Sequence, residues 1–341
     1  MSAASTREPM DALIVGCGAI AGGYDEAASG DTALTHAGAY AHHDRFRIAA
    51  CVDPDAERRE QFMARWKIPA GFATLEQCLA TGMAFDVASV CVPTAAHEST
   101  LQELLDLPVR AVLAEKPLTH DLGASTRLVE AYADAARPLA VNYLRRWDRA
   151  MAALAEEIAG GTWGAVQSVA GFYGKGLMNC GSHLIDLLHM LIGPLEPELV
   201  TRRRLDWRGD DPTLDVVLST ASGVPVYLVG SDARRFFSFE AVLTFDKGRI
   251  HIEEQGRSLR TRLVRDDPVY AGYRTLDPGR AVETAIGGAM LAAVDNMARC
   301  LDDGVALASD GRSALRVERI CGQLVALADA LGPEKTLGGI P

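Results

Sequence analysis

Three groups of residues in this sequence have the types and spacing to do chemistry. The first is Gly16-Cys17-Gly18-Ala19-Ile20-Ala21, a G-x-G-x-x-A run behind an apolar, strand-like segment. Such glycines permit a tight turn and let backbone N–H groups approach a pyrophosphate at a helix N-terminus; they also arise where a strand and a helix merely pack closely. Asp53 closes the next apolar run, where a carboxylate accepts from ribose hydroxyls or caps a helix beginning after Pro54. The second group centres on Lys116, between Glu115 and Pro117 at the end of a later apolar run. A lysine there can take or return the proton of a reacting hydroxyl, and Pro117 keeps its backbone extended. Taken alone, it is equally a surface lysine ending a strand. The third is Asn179, His183 and Asp186, spaced four and three apart in an apolar segment, so that on a helix they share one face. Polar groups buried in such a stripe need partners. The stripe is either an acid–base set or a structural histidine with Asn179 capping the helix.

A metal centre at His183, Asp186 and His189 fails on geometry, since His189 lies six residues after His183, about 120° around a helix. The seven cysteines supply no CxxC pair either. No metal is expected.

Elements of two rhythms must hold these groups. From Asp11 to Asn142, short apolar runs (Ala12–Val15, Phe46–Val52, Val87–Val92, Ala111–Ala114, Leu139–Val141) alternate with helical stretches (Asp55–Trp66, Ala96–Leu105, Gly123–Ala136). That alternation predicts βαβ units around a parallel sheet. After about Arg146, helices are expected at Ala150–Ile158 and Cys180–Ile192. Strand-like runs then follow one another at Leu214–Leu218, Val224–Val229, Phe239–Phe245, Arg249–Ile252 and Arg260–Val264. Strands without helices between them predict an antiparallel sheet. Helices over Ala281–Leu301 and Gly311–Leu331 close the chain. The fold class is therefore α/β: an N-terminal domain with a parallel sheet over residues 1–145, then an α+β domain with a mostly antiparallel open sheet over residues 146–341.

One spacing departs from the dinucleotide pattern. The acidic residue usually follows the glycines by about 20 positions, whereas Gly18 and Asp53 are 35 apart. The excess lies in Gly22–Thr35, either a surface excursion or a flap near the phosphates or substrate.

Composition bounds the function. The 341 residues are 48% hydrophobic and 23% charged, an ordinary globular balance. With 34 Lys and Arg against 45 Asp and Glu, the net charge of −11 would repel a phosphate backbone, so no nucleic-acid partner is expected. Apolar stretches such as Leu184–Ile192 fall far short of the roughly 20 residues that a membrane span needs, and Met1–Pro9 has no signal-peptide core. Scattered, odd-numbered cysteines read as reduced thiols in the cytoplasm.

The order of motifs resembles the glucose–fructose oxidoreductase / inositol dehydrogenase / rhizopine-catabolism (Gfo/Idh/MocA) oxidoreductase family. The glycine turn comes first, then Val92-Pro93-Thr94 with His97, and Glu115-Lys116-Pro117. Asn142-Tyr143-Leu144-Arg145-Arg146-Trp147-Asp148 follows, and last Gly181-Ser182-His183-Leu184-Ile185-Asp186. The resemblance implies a Rossmann domain joined to a mostly antiparallel substrate domain, with hydride transfer on a sugar, cyclitol or nucleotide sugar in the cleft between them. It implies Gly16, Gly18, Ala19, Ile20, Asp53, Pro93, Thr94, His97, Glu115 and Lys116 at the cofactor, with a Lys116–Pro117 bond that is often cis. It implies Lys116, His183 and Asn179 in catalysis, and Arg146, Asn179, His183 and Asp186 at the substrate. Asp53 favours NAD(H) over NADP(H), with Arg58 and Arg59 keeping NADP(H) open. Tyr270 and Tyr273 are expected to line the sugar pocket, and a homodimer or homotetramer is expected through the C-terminal sheet. Some relatives use NAD transiently in redox-neutral glycoside cleavage or elimination, and a non-catalytic dinucleotide sensor is a third reading. Many relatives carry Asp where this chain has Asn179.

Overall fold

The computed structural model describes residues 7–26 and 33–330. They divide into two compact units: residues up to Trp147 together with Gly287–Leu315, and Asp148–Ile286 together with residues from Arg316 onward. The second segment is thus not continuous in space, because residues 287–315 pack with the first unit.

The first unit carries β1 (Met10–Val15), α1 (His36–Ala41), β2 (Phe46–Val52), α2 (Ala56–Trp66), β3 (Ala70–Phe72), α3 (Leu75–Leu79) and β4 (Phe85–Val90). It continues through α4 (His97–Asp106), β5 (Val109–Ala114), α5 (Leu122–Asp134) and β6 (Leu139–Val141). All pairings in its six-stranded sheet are parallel, in the order β3-β2-β1-β4-β5-β6. Strands covered on both faces favour apolar residues at successive positions, which is why Ala50–Val52 and Ala111–Ala114 read as unbroken runs and are buried. The chain reverses direction across the sheet between β1 and β4, the switch point where ligands bind in such sheets. The segments leaving β1 and β4 there are the glycine turn and Cys91-Val92-Pro93-Thr94.

The long Gly18–Asp53 spacing has a specific cause. The Gly22 N–H bonds to the Gly18 carbonyl, closing one helix-like turn; the His36 N–H then bonds to the Ile20 carbonyl (3.3 Å) and the Ala37 N–H to the Ala21 carbonyl (2.8 Å). These would be ordinary i→i+4 helix bonds if twelve residues were removed, which would bring the Gly18–Asp53 gap to 23. One helix has been cut and its hydrogen-bond register resumed across the cut. Asp25 fastens the seam, accepting from the Leu34 N–H (2.8 Å) and the Thr35 hydroxyl, while Thr35 caps α1. Of the expected excursion over 22–35, residues 27–32 lie outside the described residues.

The second unit holds α6 (Arg149–Ala159), β7 (Val166–Tyr173), a π-helical turn (Leu177–Gly181), α7 (Ser182–Ile192), β8 (Leu195–Arg208), β9 (Asp211–Thr220) and β10 (Pro225–Gly230). Then come β11 (Phe239–Phe245), β12 (Gly248–Glu253), β13 (Ser258–Asp266), β14 (Arg274–Leu276) and β15 (Arg280–Glu283). The strand order is β14-β13-β12-β11-β7-β10-β9-β8, with β15 on β13. β7 and β10 pair in parallel; the other pairings are antiparallel. α7 lies against β7, where Gly171 matters: a Cβ there would come within 2.9 Å of Leu184. α8 (Ala289–Asp303) lies in the first unit, and α9 (Gly311–Asp329) runs from the first unit into the second.

A single helix over Ala281–Leu301 is not what forms. Arg280–Glu283 adds a strand beside β13, and Gly287-Gly288 precedes α8, as two adjacent glycines disfavour helix. No described helix is long and apolar enough to cross a membrane.

Candidate functional site

The glycine turn separates into two roles. Gly16 has φ +90°, and a Cβ there would sit 2.8 Å from the Cys91 carbonyl carbon and the Val92 nitrogen. The fold itself requires glycine at this crossing. Gly18 is different: a Cβ would meet no protein atom within 4 Å, and its φ is not left-handed. Internal packing gives no reason for glycine there, whereas close approach of a phosphate to the backbone does. The residues therefore fit a dinucleotide. Ala19 is exposed beside this turn and Ile20 half-buried. A cavity of about 370 Å³ opens between the turn and α2, lined by Gly18, Ala19, Gly22, Arg58, Phe62 and Trp66 among others.

Asp53 is 3% exposed and tied into the same turn. One carboxylate oxygen accepts from the Cys17 N–H at 2.8 Å, the other from the Asp55 N–H at 2.9 Å. Asp53 does not cap α2; Asp55 does, accepting from the Arg58 N–H at 3.0 Å. Arg58 approaches Asp53 at 3.4 Å and Asp55 at 3.1 Å, and Arg59 donates to the Asp53 carbonyl at 2.6 Å.

Pro93 is exposed and Thr94 half-buried at the turn after β4. His97, expected at the cofactor, has another job. It is 1% exposed, with Nδ1 2.8 Å from the Pro117 carbonyl and Nε2 2.9 Å from the Val92 carbonyl. Both partners are acceptors, so a neutral ring donates to one at a time. His97 ties the turn after β4 to the turn after β5.

Lys116 is half-buried at the carboxyl end of β5, and its bond to Pro117 is cis. Glu115, beside it, is the centre of a buried network. Its Oε1 accepts from Asn142 Nδ2 at 2.6 Å and lies 3.1 Å from His36 Nε2. His36 Nδ1 is 2.9 Å from the Ser89 hydroxyl, which is 2.8 Å from the Tyr40 hydroxyl. Burial alone would raise the Glu115 carboxyl, but the His36 bond and charge, the Asn142 amide and the Lys116 charge outweigh it and hold it below the usual range. His36, Ser89 and Tyr40 escape sequence reasoning because their partners lie 49 to 79 positions away along the chain; the one local hint is a histidine in a helix of small residues.

Arg146 follows β6, its guanidinium 3.5 Å from the Ala308 carbonyl within the same unit.

In the second unit, His183 and Asp186 share one face of α7, but Asn179 precedes α7 in the π-helical turn. The uniform spacing expected from residue 179 to 186 is therefore broken by one wide turn, a distortion common at functional sites. Asn179 does not cap the helix. The capping carboxylate belongs to Asp211 at the start of β9, which accepts from the Met178 N–H at 2.7 Å and the Asn179 N–H at 2.9 Å. Gly176, at φ +81°, makes room for it, since a Cβ would lie 2.1 Å from the carboxylate. Asp186, expected at the substrate, is 1% exposed on α7. His183 and Asn179 are half-buried. Tyr270 and Tyr273 stand exposed between β13 and β14, their rings edge to face at 6.2 Å. Among the described residues no cluster of three or more His, Cys, Asp and Glu could hold a metal.

Comparison with known proteins agrees with this geometry. Residues 10–143 match the model of the oxidoreductase family with an NAD-binding Rossmann fold. The chain is similar to an inositol 2-dehydrogenase from Streptomyces avermitilis, 32% identical over 53% of this chain and 57% of that protein. It is also similar to a trans-1,2-dihydrobenzene-1,2-diol dehydrogenase from Mus musculus, 27% identical over 52% of this chain and 58% of that protein. The chain thus spans somewhat more than half the length of these curated relatives. The crystal structure of the WlbA dehydrogenase from Bordetella pertussis, in complex with NADH and UDP-GlcNAcA, aligns over 94% of this chain and 97% of its own. Its TM-score is 0.74 at 20% identity, a likeness of fold. The first unit has the Rossmann fold. Over residues 10–143 the chain is similar to the Gfo/Idh/MocA oxidoreductase family.

Proposed function

We propose that the chain is an NAD(P)-dependent oxidoreductase that moves hydride to or from a hydroxyl or keto carbon of a sugar, cyclitol or nucleotide sugar. The observation that carries this reading is the placement of Lys116 and the glycine turn at the same, carboxyl edge of one parallel sheet. The nicotinamide supplies the hydride acceptor or donor. The turn at Gly16–Ile20 and Asp53 hold the pyrophosphate and ribose, with Pro93 and Thr94 beside them. Lys116 takes the hydroxyl proton at Nζ during oxidation and returns it during reduction. His183, on the second unit, has the supporting acid–base role, and Asn179 and Arg146 orient substrate. Mass spectrometry of copurifying cofactor, followed by NADH absorbance across sugars, cyclitols and nucleotide sugars, tests the reading. Substrate loss with no net NADH change would instead mark a redox-neutral hydrolase or lyase.

We assign NAD(H) as the preferred cofactor, because Asp53 repels a 2′-phosphate and accepts from a 2′-hydroxyl. Arg58 is already engaged by the Asp53 and Asp55 carboxylates, so its charge is offset locally. NADH is expected to bind more tightly than NADPH; a tenfold preference for NADPH in measured Kd, about 1.4 kcal/mol, contradicts the assignment.

Asn179 sets the basicity of His183. An aspartate at this position would favour protonated histidine by charge attraction, which a neutral amide cannot do. Asn179→Asp is therefore expected to move the His183 limb of the kcat/KM profile to higher pH. Superimposable profiles would remove Asn179 from the mechanism.

We further assign the protein to the cytoplasm as a homo-oligomer joined through the second sheet. Phe172, Tyr227 and Val229 expose an apolar patch on the adjacent strands β7 and β10, and such patches mark association surfaces.

A further inference from the structure

Glu115 is the end of a chain of hydrogen bonds that runs through His36 and Ser89 to Tyr40. An ionised carboxylate can only accept, so His36 Nε2, 3.1 Å away, carries the hydrogen. His36 Nδ1 on the other side of the ring lies 2.9 Å from the Ser89 hydroxyl. The Ser89 hydroxyl is in turn 2.8 Å from the Tyr40 hydroxyl. His36, Ser89 and Tyr40 are fully buried, so no water competes for these bonds. Asn142 adds a second donor to the same carboxylate oxygen.

We propose that His36 is a positioning residue for Lys116: backed by Ser89 and Tyr40, it donates into Glu115 and fixes, immediately before Lys116, a carboxylate that raises the proton affinity of the Lys116 amine. The proposal rests on the reading of Lys116 as the proton carrier and adds what sets its proton affinity.

The groups facing Glu115 agree on the sign. His36 from α1, the Asn142 amide after β6 and the Lys116 charge all favour the anion. Cys91, after β4, is the opposing neighbour, but burial and the Glu115 charge keep its thiol protonated. Burial likewise pushes the Tyr40 phenol up, so it stays protonated at the head of the chain. Without the His36 donor, burial dominates at Glu115, the carboxyl takes a proton, and Lys116 loses its adjacent negative charge. The Lys116 titration must then fall to lower pH.

The chain has five lysines, so NMR titration of protein labelled at lysine Cε can follow each one, with Lys116→Arg assigning the resonance. His36→Leu is expected to lower the Lys116 midpoint by about one pH unit. His36→Gln, which keeps an N–H donor at the reach of Nε2, should restore the wild-type midpoint. Isotope-edited infrared spectroscopy should show Glu115 ionised at pH 7 in wild type and protonated in His36→Leu. Tyr40→Phe, a milder change should His36→Leu not fold, is expected to shift the midpoint the same way by less. A folded His36→Leu or Tyr40→Phe protein with an unmoved Lys116 midpoint overturns the proposal, as does a protonated Glu115 in wild type. These readouts need no turnover, so a failure of the Lys116 mechanism itself would be seen separately, in kinetics.

Discussion

Lys116→Ala is expected to lower kcat by on the order of 10²–10⁴, the usual loss when a positioned acid–base group is removed. Lys116 stands where the strand end, the Pro117 turn and the His97 tie between two turns all converge. A side chain held by that much backbone has a defined reach, and alanine leaves no group to exchange the hydroxyl proton. Binding of NADH should weaken far less, because the pyrophosphate and ribose are held by the Gly16–Ile20 turn and Asp53, on other elements. Steady-state kinetics with NADH titrated separately by fluorescence measures both effects. A variant that keeps a third of its turnover would make Lys116 structural and end the mechanism.

The second large effect separates two glycines that look alike. Gly16→Ala is expected to destabilise the first unit by about 2–4 kcal/mol, from left-handed backbone strain and collision with the Cys91–Val92 backbone. Backbone on both sides leaves nothing that can swing away. Gly18→Ala should cost no more than about 0.5 kcal/mol, as for a surface change, yet raise the Kd for NADH by about tenfold or more, since the added methyl occupies the approach to the turn. Thermal unfolding with NADH titration resolves the pair. Equal destabilisation by the two substitutions would refute the separation.

Much of this architecture is legible in the sequence because the first sheet is buried on both faces. Phe46–Val52 and Leu139–Val141 are strands over the very residues their apolar runs suggest. β8 is harder to read: Arg and Glu alternate with apolar residues along a half-exposed strand, and its charges hide it. At the site, motif order places Glu115, Lys116 and His183 on the right elements, but it says nothing about partners distant in the chain. Asp211 acts on the π-helical turn from 32 positions away, and His36 reaches Glu115 from 79. His97 likewise has partners that its motif does not reveal, with a backbone carbonyl within 2.9 Å of each ring nitrogen. Short-range pattern reports backbone periodicity well and hydrogen-bond destination poorly.

The cut in the helix after the glycine turn makes that point a port for protein engineering. Because the hydrogen-bond register closes across the seam, with Asp25 tied to Leu34 and Thr35, the helix calls for those seam residues rather than for a particular sequence between Asp25 and Leu34, and loop closure grows by only about 0.6 kcal/mol for each doubling of length. Sequence can therefore be shortened, exchanged or lengthened there while the two halves still meet. The port adjoins both the dinucleotide turn and the helix that carries His36, so a fluorescent module grafted into it would sit beside the nucleotide and report its arrival. Other proteins with the same helix left whole could be opened at the corresponding point.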